Sequence, residues 1–227
     1  MCGRYTITVD KSTIEKRFSA RFYIAQAEYA PTYNAAPSHM LPVMRRSGVI
    51  ELARWGFIPE TWSSSRIRPQ NNARFETAND KPMFSSSFRA RHCLVIADSF
   101  YEWKETPRGK QPYRIMLKSG EPFAMAGIYA RIENYRFAEA EGGMVSFAIL
   151  TTASNEIMRP IHDRMPVILP LGREQSWLPA TPSGAVSIPE FPAELMTAYP
   201  VTKKVNKVAF NEPEAIRPIE PVIQLSL

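Results

Sequence analysis

Cysteine and histidine are scarce in this chain, at two and three in 227 residues, and they form no cluster with metal-ligand spacing. No metal and no cofactor are therefore expected. Two cysteines also exclude a disulfide framework, and Cys93 sits in the apolar run from Cys93 to Ala97, where a small buried residue is the ordinary occupant. No apolar stretch reaches the roughly 20 residues of a membrane span. The start of the chain lacks the basic, apolar and cleavage regions of a secretory leader. These absences predict a soluble, cytoplasmic protein with no membrane partner. Low-complexity tracts, internal repeats and clear domain boundaries are missing too, so residues 1–227 read as a single domain, with 179–227 as a Pro-rich C-terminal wrap.

What is present is basic. Lys and Arg exceed Asp and Glu by 28 − 22 = 6, and the pI is near 9.4, which biases encounter partners toward polyanions. Arg recurs at positions 4, 45, 46, 66, 68, 74, 89, 91 and 164. Its planar fork suits bidentate phosphate contact, although a solvated basic surface explains most such residues equally well.

The patterning is that of short strands. Gly3 to Val9 reads as a strand, followed by a helix that opens on the capping-box pattern Ser12-Thr13-Ile14-Glu15 and carries Ile14, Phe18 and Phe22 on one stripe. Met40–Arg46 and Val49–Phe57 form a hairpin about Ser47-Gly48, and Pro42 argues for an edge position. Residues 66–74 are polar and irregular, and Pro69–Arg74 reads as a loop or strand entry. Leu94–Trp103, Tyr113–Leu117, Phe123–Ile132 and Met144–Thr151 are further strands, the last two joined through Glu133–Gly143. Asn155–Arg159 suggests a helical turn, Pro166–Leu169 a short strand, Gly172–Leu178 and Ala193–Ala198 helices, and Val201–Val208 a final strand. Many short strands with few long helical patterns argue for an α+β fold of mostly antiparallel sheet with flanking short helices.

Four stretches combine polar residues with apolar context. In Met1-Cys2-Gly3-Arg4, removal of the initiator Met leaves an α-amine and a thiol on one residue, a 1,2-aminothiol. The amine condenses with an aldehyde to a Schiff base and the thiol closes it to a thiazolidine. Asn72, in Asn72-Ala73-Arg74-Phe75-Glu76-Thr77, has a side chain able to hydrogen-bond a sugar or the reacting amine. Glu102, between Tyr101 and Trp103 at the end of an apolar strand, suits general-acid use if the aromatics desolvate it. His162, in Ile161-His162-Asp163-Arg164-Met165-Pro166, titrates near neutrality and has Asp163 to orient it. Arg4, Arg74 and Arg164 are candidates for gripping phosphates around Cys2, and Trp103 and Pro37 for stacking against or wedging bases. Each residue also has a plain structural explanation.

As a set, MCGRY, YNAAP, RWGFIP, NARFET, FYEWK, QPYRI and IHDRMP, in that order over the first three-quarters of the chain, resemble the SRAP family of SOS-response-associated peptidases, whose members sense abasic sites in single-stranded DNA. The resemblance implies a barrel-like core of antiparallel sheet and a positively charged groove. It implies that Cys2, freed of Met1, forms a thiazolidine crosslink with the ring-opened aldehyde of an abasic deoxyribose and so protects the lesion during repair. Glu102 assists ring opening and imine formation, His162 proton transfer and crosslink reversal, and Asn72 positions Cys2 and the lesion. Arg4, Arg74 and Arg164 hold flanking phosphates, Trp103 and Pro37 disturb stacking, and the partner is single-stranded DNA containing abasic sites, bound by a monomer. In a bacterium the protein would be nucleoid-associated. AP-lyase activity and autoproteolysis limited to loss of Met1 are compatible with the same residues. An N-terminal-nucleophile amidohydrolase or cysteine peptidase, or a non-covalent nucleic-acid-binding module, are the competing readings of the same chain.

Overall fold

The computed structural model describes residues 2–23, 29–60, 68–132, 143–179 and 187–219. In chain order the elements begin with β1 (Arg4–Ile7), α1 (Lys11–Phe18), β2 (Arg21–Phe22), β3 (Thr32–Ala35), β4 (Met40–Arg46) and β5 (Val49–Trp55). They continue with β6 (Asn72–Arg74), α2 (Phe75–Ala78), α3 (Ser85–Ala90), β7 (His92–Ala97), β8 (Ser99–Lys104) and β9 (Gln111–Leu117). β10 (Phe123–Ile132), β11 (Met144–Ala153), β12 (Arg164–Pro166) and β13 (Met196–Pro200) complete the strands, and the remaining regular pieces are short 3₁₀ turns.

Five strands close on themselves. β5, β4, β7, β10 and β11 pair in series and antiparallel, and a parallel contact of β11 with β5, Ser146 opposite Arg54 and Phe147 opposite Trp55, completes the ring. The α+β, barrel-cored architecture expected from the sequence is the one found. Closure needs inward residues that fill the lumen, and Cys93–Ala97 of β7 supply an apolar run while Trp55 and Phe147 stack with centroids 6.4 Å apart. Gly127 on β10 marks the tightest approach, because a Cβ there would lie 2.8 Å from both Cys93 Sγ and Val95 Cγ2. A second sheet, ordered β13-β9-β8-β1-β3 and antiparallel throughout, shares core with the barrel through Tyr5, whose ring lies 5.0 Å from that of Trp55.

The hairpin about Ser47-Gly48 lies where the alternation put it, with Gly48 at φ 78°. Other expectations need correction. Helix α1 stops at Phe18 and is capped by Asp10, whose carboxylate accepts the Thr13 N–H at 2.7 Å; Glu15 instead accepts from the Phe22 N–H, which belongs to β2. Pro42 is not on an edge strand: β4 lies between β5 and β7. Pairing with β7 begins only at Val43, so no ladder bond requires a Pro42 N–H. Leu94–Trp103 is two strands in two sheets, separated at Asp98. That buried carboxylate accepts from Thr6 Oγ1, Thr8 N and Thr8 Oγ1, and so turns the chain from the barrel onto β1.

Residues 155–159 form one turn, closed by Arg159 N–H to Asn155 O. The short strand near Pro166 lies earlier than expected, as β12, and the helix over 172–178 is a 3₁₀ turn at Glu174–Trp177. The last strand is β13 and residues 203–206 form a 3₁₀ turn, the reverse of the expected order, because Met196 to Pro200 complete the open edge of β9. The expected connection over 133–142, the middle of the Pro-rich wrap at 180–186, and Arg66 lie outside the described residues. No helix among the described residues is long and apolar enough to cross a membrane.

Candidate active site around Cys2

Three strand pairings converge on the N-terminus. β1 runs antiparallel to β8 with Arg4 opposite Tyr101, a register that brings the chain preceding Arg4 alongside Glu102. β6 lies parallel to β11 with Asn72 opposite Ile149 and Arg74 opposite Thr151, while β12 lies on the far side of β11 with Arg164 opposite Ala153. Residues distant in sequence thereby meet on one end of the barrel.

Cys2 is fully buried and its carbonyl accepts a 2.8 Å hydrogen bond from Asn72 Nδ2. Its Sγ lies 3.7 Å from the Arg4 carbonyl. Burial, and then the nearby Glu102 carboxylate, push the thiol pKa far up, so the sulfur is a protonated thiol at neutrality. Asn72 Oδ1 is buried with no hydrogen-bond partner among the described residues, which leaves an acceptor beside the N-terminal residue.

Glu102 is 3 % exposed, and its Oε1 lies 3.9 Å from His162 Nε2. The Arg164 backbone N–H donates to His162 Nδ1 at 2.9 Å, which assigns the neutral ring's proton to Nε2, on the Glu102 side. When the ring is protonated, Nδ1 becomes a donor, and Asp163 Oδ1 is 2.8 Å away to accept. Both charge states of His162 therefore have a partner at Nδ1. The expected Asp163 contact is present, and the backbone contact from Arg164 adds a preference that the sequence did not disclose.

The arginines are held differently from one another. Arg4 Nη1 donates to Asn34 Oδ1 at 2.9 Å and to the Val205 carbonyl at 2.7 Å, and Nη2 approaches the Asn206 carbonyl at 3.4 Å. It is a strut between the β1–β3 sheet and the C-terminal segment, and burial lowers its pKa. Arg164 makes a two-pronged pair with Glu76, both contacts 2.8 Å, and also donates to the Thr151 carbonyl. Arg74 is exposed and makes no ion pair or side-chain hydrogen bond among the described residues.

Pro37 is half-buried at the second position of a turn whose third residue, Ser38, has φ 76°; the His39 N–H closes it on the Ala36 carbonyl and the Ser38 N–H is held by the Trp55 carbonyl. Trp103 is half-buried, and its Nε1–H donates to Asn206 Oδ1 at 2.8 Å. The structure thus gathers Cys2, Asn72, Glu102 and His162 closely, sets Arg74 and Arg164 beside them, and puts Arg4 and Trp103 against residues 205–206.

Three residues were missed by sequence reasoning. Asn34 is buried and donates through Nδ2 to the carbonyls of Val205, Lys207 and Phe210 as well as accepting from Arg4. Glu76 holds Arg164, and Asn206 holds Trp103. Asn34 lies within the YNAAP stretch and Glu76 within NARFET, so the signal was present without the role; Asn206 had none.

Comparison with known proteins places this geometry in context. A family model described as SOS response associated peptidase (SRAP) matches residues 1–208. The abasic site processing protein YoqW of Bacillus subtilis is 38% identical over 225 residues, covering 95% of this chain and 99% of the relative. The abasic site processing protein HMCES of Xenopus tropicalis is 28% identical over 267 residues, covering 96% and 78%. A crystal structure of a protein from Bacteroides thetaiotaomicron superposes with a TM-score of 0.83 at 26% identity, covering 96% of this chain and 99% of that one.

Proposed function

The chain belongs to the SRAP family, and from that premise we propose that it processes abasic sites in single-stranded DNA by a covalent crosslink through Cys2. The observation that carries the proposal is the 2.8 Å bond from Asn72 to the Cys2 carbonyl, beside the Glu102–His162 pair. It holds the N-terminal residue to Asn72, near a carboxyl and an imidazole. Relatives named as abasic site processing proteins supply the substrate class.

With Met1 removed, the Cys2 amine attacks C1′ of the ring-opened deoxyribose and expels its oxygen as water, giving an imine. The thiol then adds to the imine carbon; a C–S bond forms, the thiol proton ends on nitrogen, and the ring closes to a thiazolidine. Amine plus thiol plus aldehyde thus yield thiazolidine plus one water, with no change of oxidation state. Because burial keeps the thiol protonated, the second step needs a local base, and Glu102, whose charge contributes to raising the Cys2 pKa, is the residue assigned that role. Proton exchange between Glu102 and His162 Nε2 serves ring opening in one direction and crosslink reversal in the other. The imine also permits β-elimination, so strand scission is the expected side reaction. Any self-processing ends with the loss of Met1.

The test is to mix Met1-processed protein with a single-stranded oligonucleotide bearing one abasic site, and an undamaged control, then separate under denaturing conditions and measure intact mass. The expected result is a lesion-dependent, heat-stable adduct mapping to the Cys2 peptide and lost in Cys2→Ala. No adduct from protein whose mass confirms an N-terminal Cys2 overturns the proposal in favour of an amidohydrolase, a peptidase or a non-covalent binder.

A further inference from the structure

The 3₁₀ turn at Lys203–Asn206 and the residues after it are anchored more firmly than a surface turn requires. Asn34 Nδ2 donates to the carbonyls of Val205 at 3.2 Å, Lys207 at 3.0 Å and Phe210 at 2.9 Å. Arg4 donates to the carbonyls of Val205 and Asn206, and Trp103 to Asn206 Oδ1. Beneath the turn Val205 is buried with Tyr101, Tyr199, Val201 and Ala215, so the backbone is fixed from both sides.

What this scaffold presents outward is positive. Lys203 and Lys207 are exposed and make no ion pair among the described residues. The neighbouring β8–β9 hairpin adds Arg108, also without an ion pair among the described residues, and the two pieces touch: Lys203 Nζ reaches the Arg108 carbonyl at 3.4 Å and Gln111 Nε2 the Val201 carbonyl at 2.8 Å. Of the nearby acids, Glu105 pairs with Lys110 at 3.2 Å and Glu214 with Lys204 at 3.0 Å, while Glu212 is exposed with no ion pair among the described residues. A strip of three cations, Arg108, Lys203 and Lys207, therefore lies beside the turn that holds Trp103.

We propose that this strip, formed by Arg108, Lys203 and Lys207, is a further single-stranded DNA-binding surface that tracks the phosphates of the strand beyond the lesion, with the Asn206 amide holding the Trp103 indole as a stacking platform at its inner end. The proposal rests on the function argued above for its ligand. Its chemistry is general: a fixed row of cations beside an aromatic face is how a flexible polyanion with exposed bases is held without regard to sequence. An acidic protein surface would use the cations but not the aromatic, and is the alternative that the test separates.

The experiment measures binding of an undamaged single-stranded oligonucleotide by fluorescence anisotropy across a salt series, for the wild type, for Lys203→Glu with Lys207→Glu, and for Lys11→Glu with Lys16→Glu on α1 as an equal charge change elsewhere. The expected result is about tenfold weaker binding for the first pair and a log–log salt slope shallower by about 1.4, two single-strand phosphate contacts. The α1 pair is expected to keep the wild-type slope. At saturating protein, the crosslinking rate on an abasic-site oligonucleotide is expected to stay at the wild-type value, because neither lysine touches Cys2. Lys203→Gln with Lys207→Gln keeps the test available if charge reversal impairs folding. Equal loss in the two charge-reversed pairs, or an unchanged slope in the first, overturns the proposal. A wild type that binds through the strip yet forms no adduct overturns the crosslinking reading alone.

Discussion

If Arg164 grips a DNA phosphate, as the family resemblance implies, it does so in competition with Glu76, and that contest can be measured. The carboxylate takes both terminal nitrogens of the guanidinium at 2.8 Å and is itself steadied by Thr152 Oγ1 at 3.3 Å. The Arg164 hydrogen bonds hold the Glu76 carboxyl below the ordinary glutamate range, so it is ionised throughout the neutral region. Side-chain exposures of 14% for Arg164 and 44% for Glu76 make this a screened rim pair worth about 1 kcal/mol rather than a buried one.

Replacing Glu76 by Gln keeps the shape and removes the charge, so Arg164 is released to the phosphate. Single-stranded DNA should then bind about fivefold more tightly, with a salt slope steeper by about 0.7. Loss of any acid near a polyanion site would strengthen binding somewhat, so the decisive design is a double-mutant cycle. In an Arg164→Ala background the same Glu76→Gln change should alter Kd by less than about twofold. Anisotropy titrations of the four proteins at several salt concentrations give the coupling directly. An equal gain with and without Arg164 would show that Glu76 does not restrain it, and the reasoning would be refuted.

Asn72→Asp replaces the donor facing the Cys2 carbonyl by an acceptor; the crosslinking rate should fall by about tenfold to a hundredfold, with DNA affinity little changed, and an unaltered rate would remove Asn72 from the mechanism. Gly127→Ala puts a methyl into Cys93 and Val95 and should cost about 1–3 kcal/mol by overpacking, read as a lower thermal midpoint; a midpoint at or above wild type would contradict the packing of the barrel. His92 is buried, its ring stacked 3.7 Å from that of Trp177, and burial lowers its pKa although both nitrogens face backbone carbonyls. The unfolded chain then takes up a proton near pH 6.5 and the folded chain only at lower pH, so this contribution is complete above that value and is lost as pH falls through it. The stability difference between wild type and His92→Phe should shrink from pH 7.5 to about 5.5, and a difference independent of pH would show that His92 does not titrate in this way.

Local chemistry made part of the fold legible. Ser47-Gly48 between alternating runs could be little else than a hairpin, and the apolar run from Cys93 to Ala97 could only be core. The break at Asp98 was hidden, because nothing adjacent marks it; its partners Thr6 and Thr8 lie 92 and 90 residues away. The same distinction divides the site. Cys2, Asn72, Glu102 and His162 stand in stretches whose polar residues needed a reason, whereas the part played by Asn34 depends on carbonyls 171 to 176 residues later. A backbone acceptor has no residue type, so no reading of side chains could have located it. The tail was undervalued for that reason.

The burial of Cys2 has a consequence for the life history of the protein. A residue with no exposed surface, its carbonyl tied to Asn72 and its flank formed by β8, is held by contacts that exist only once those strands have paired. For the crosslink proposed above, removal of Met1 during synthesis would precede that burial; at about 5–20 residues per second, synthesis as far as Glu102 takes on the order of 5–20 s. A molecule that folds with Met1 in place retains every other residue of the site and lacks the amine. Under the proposed mechanism such a molecule forms no crosslink, so the fraction able to do so is set by Met1 removal, before any lesion is met.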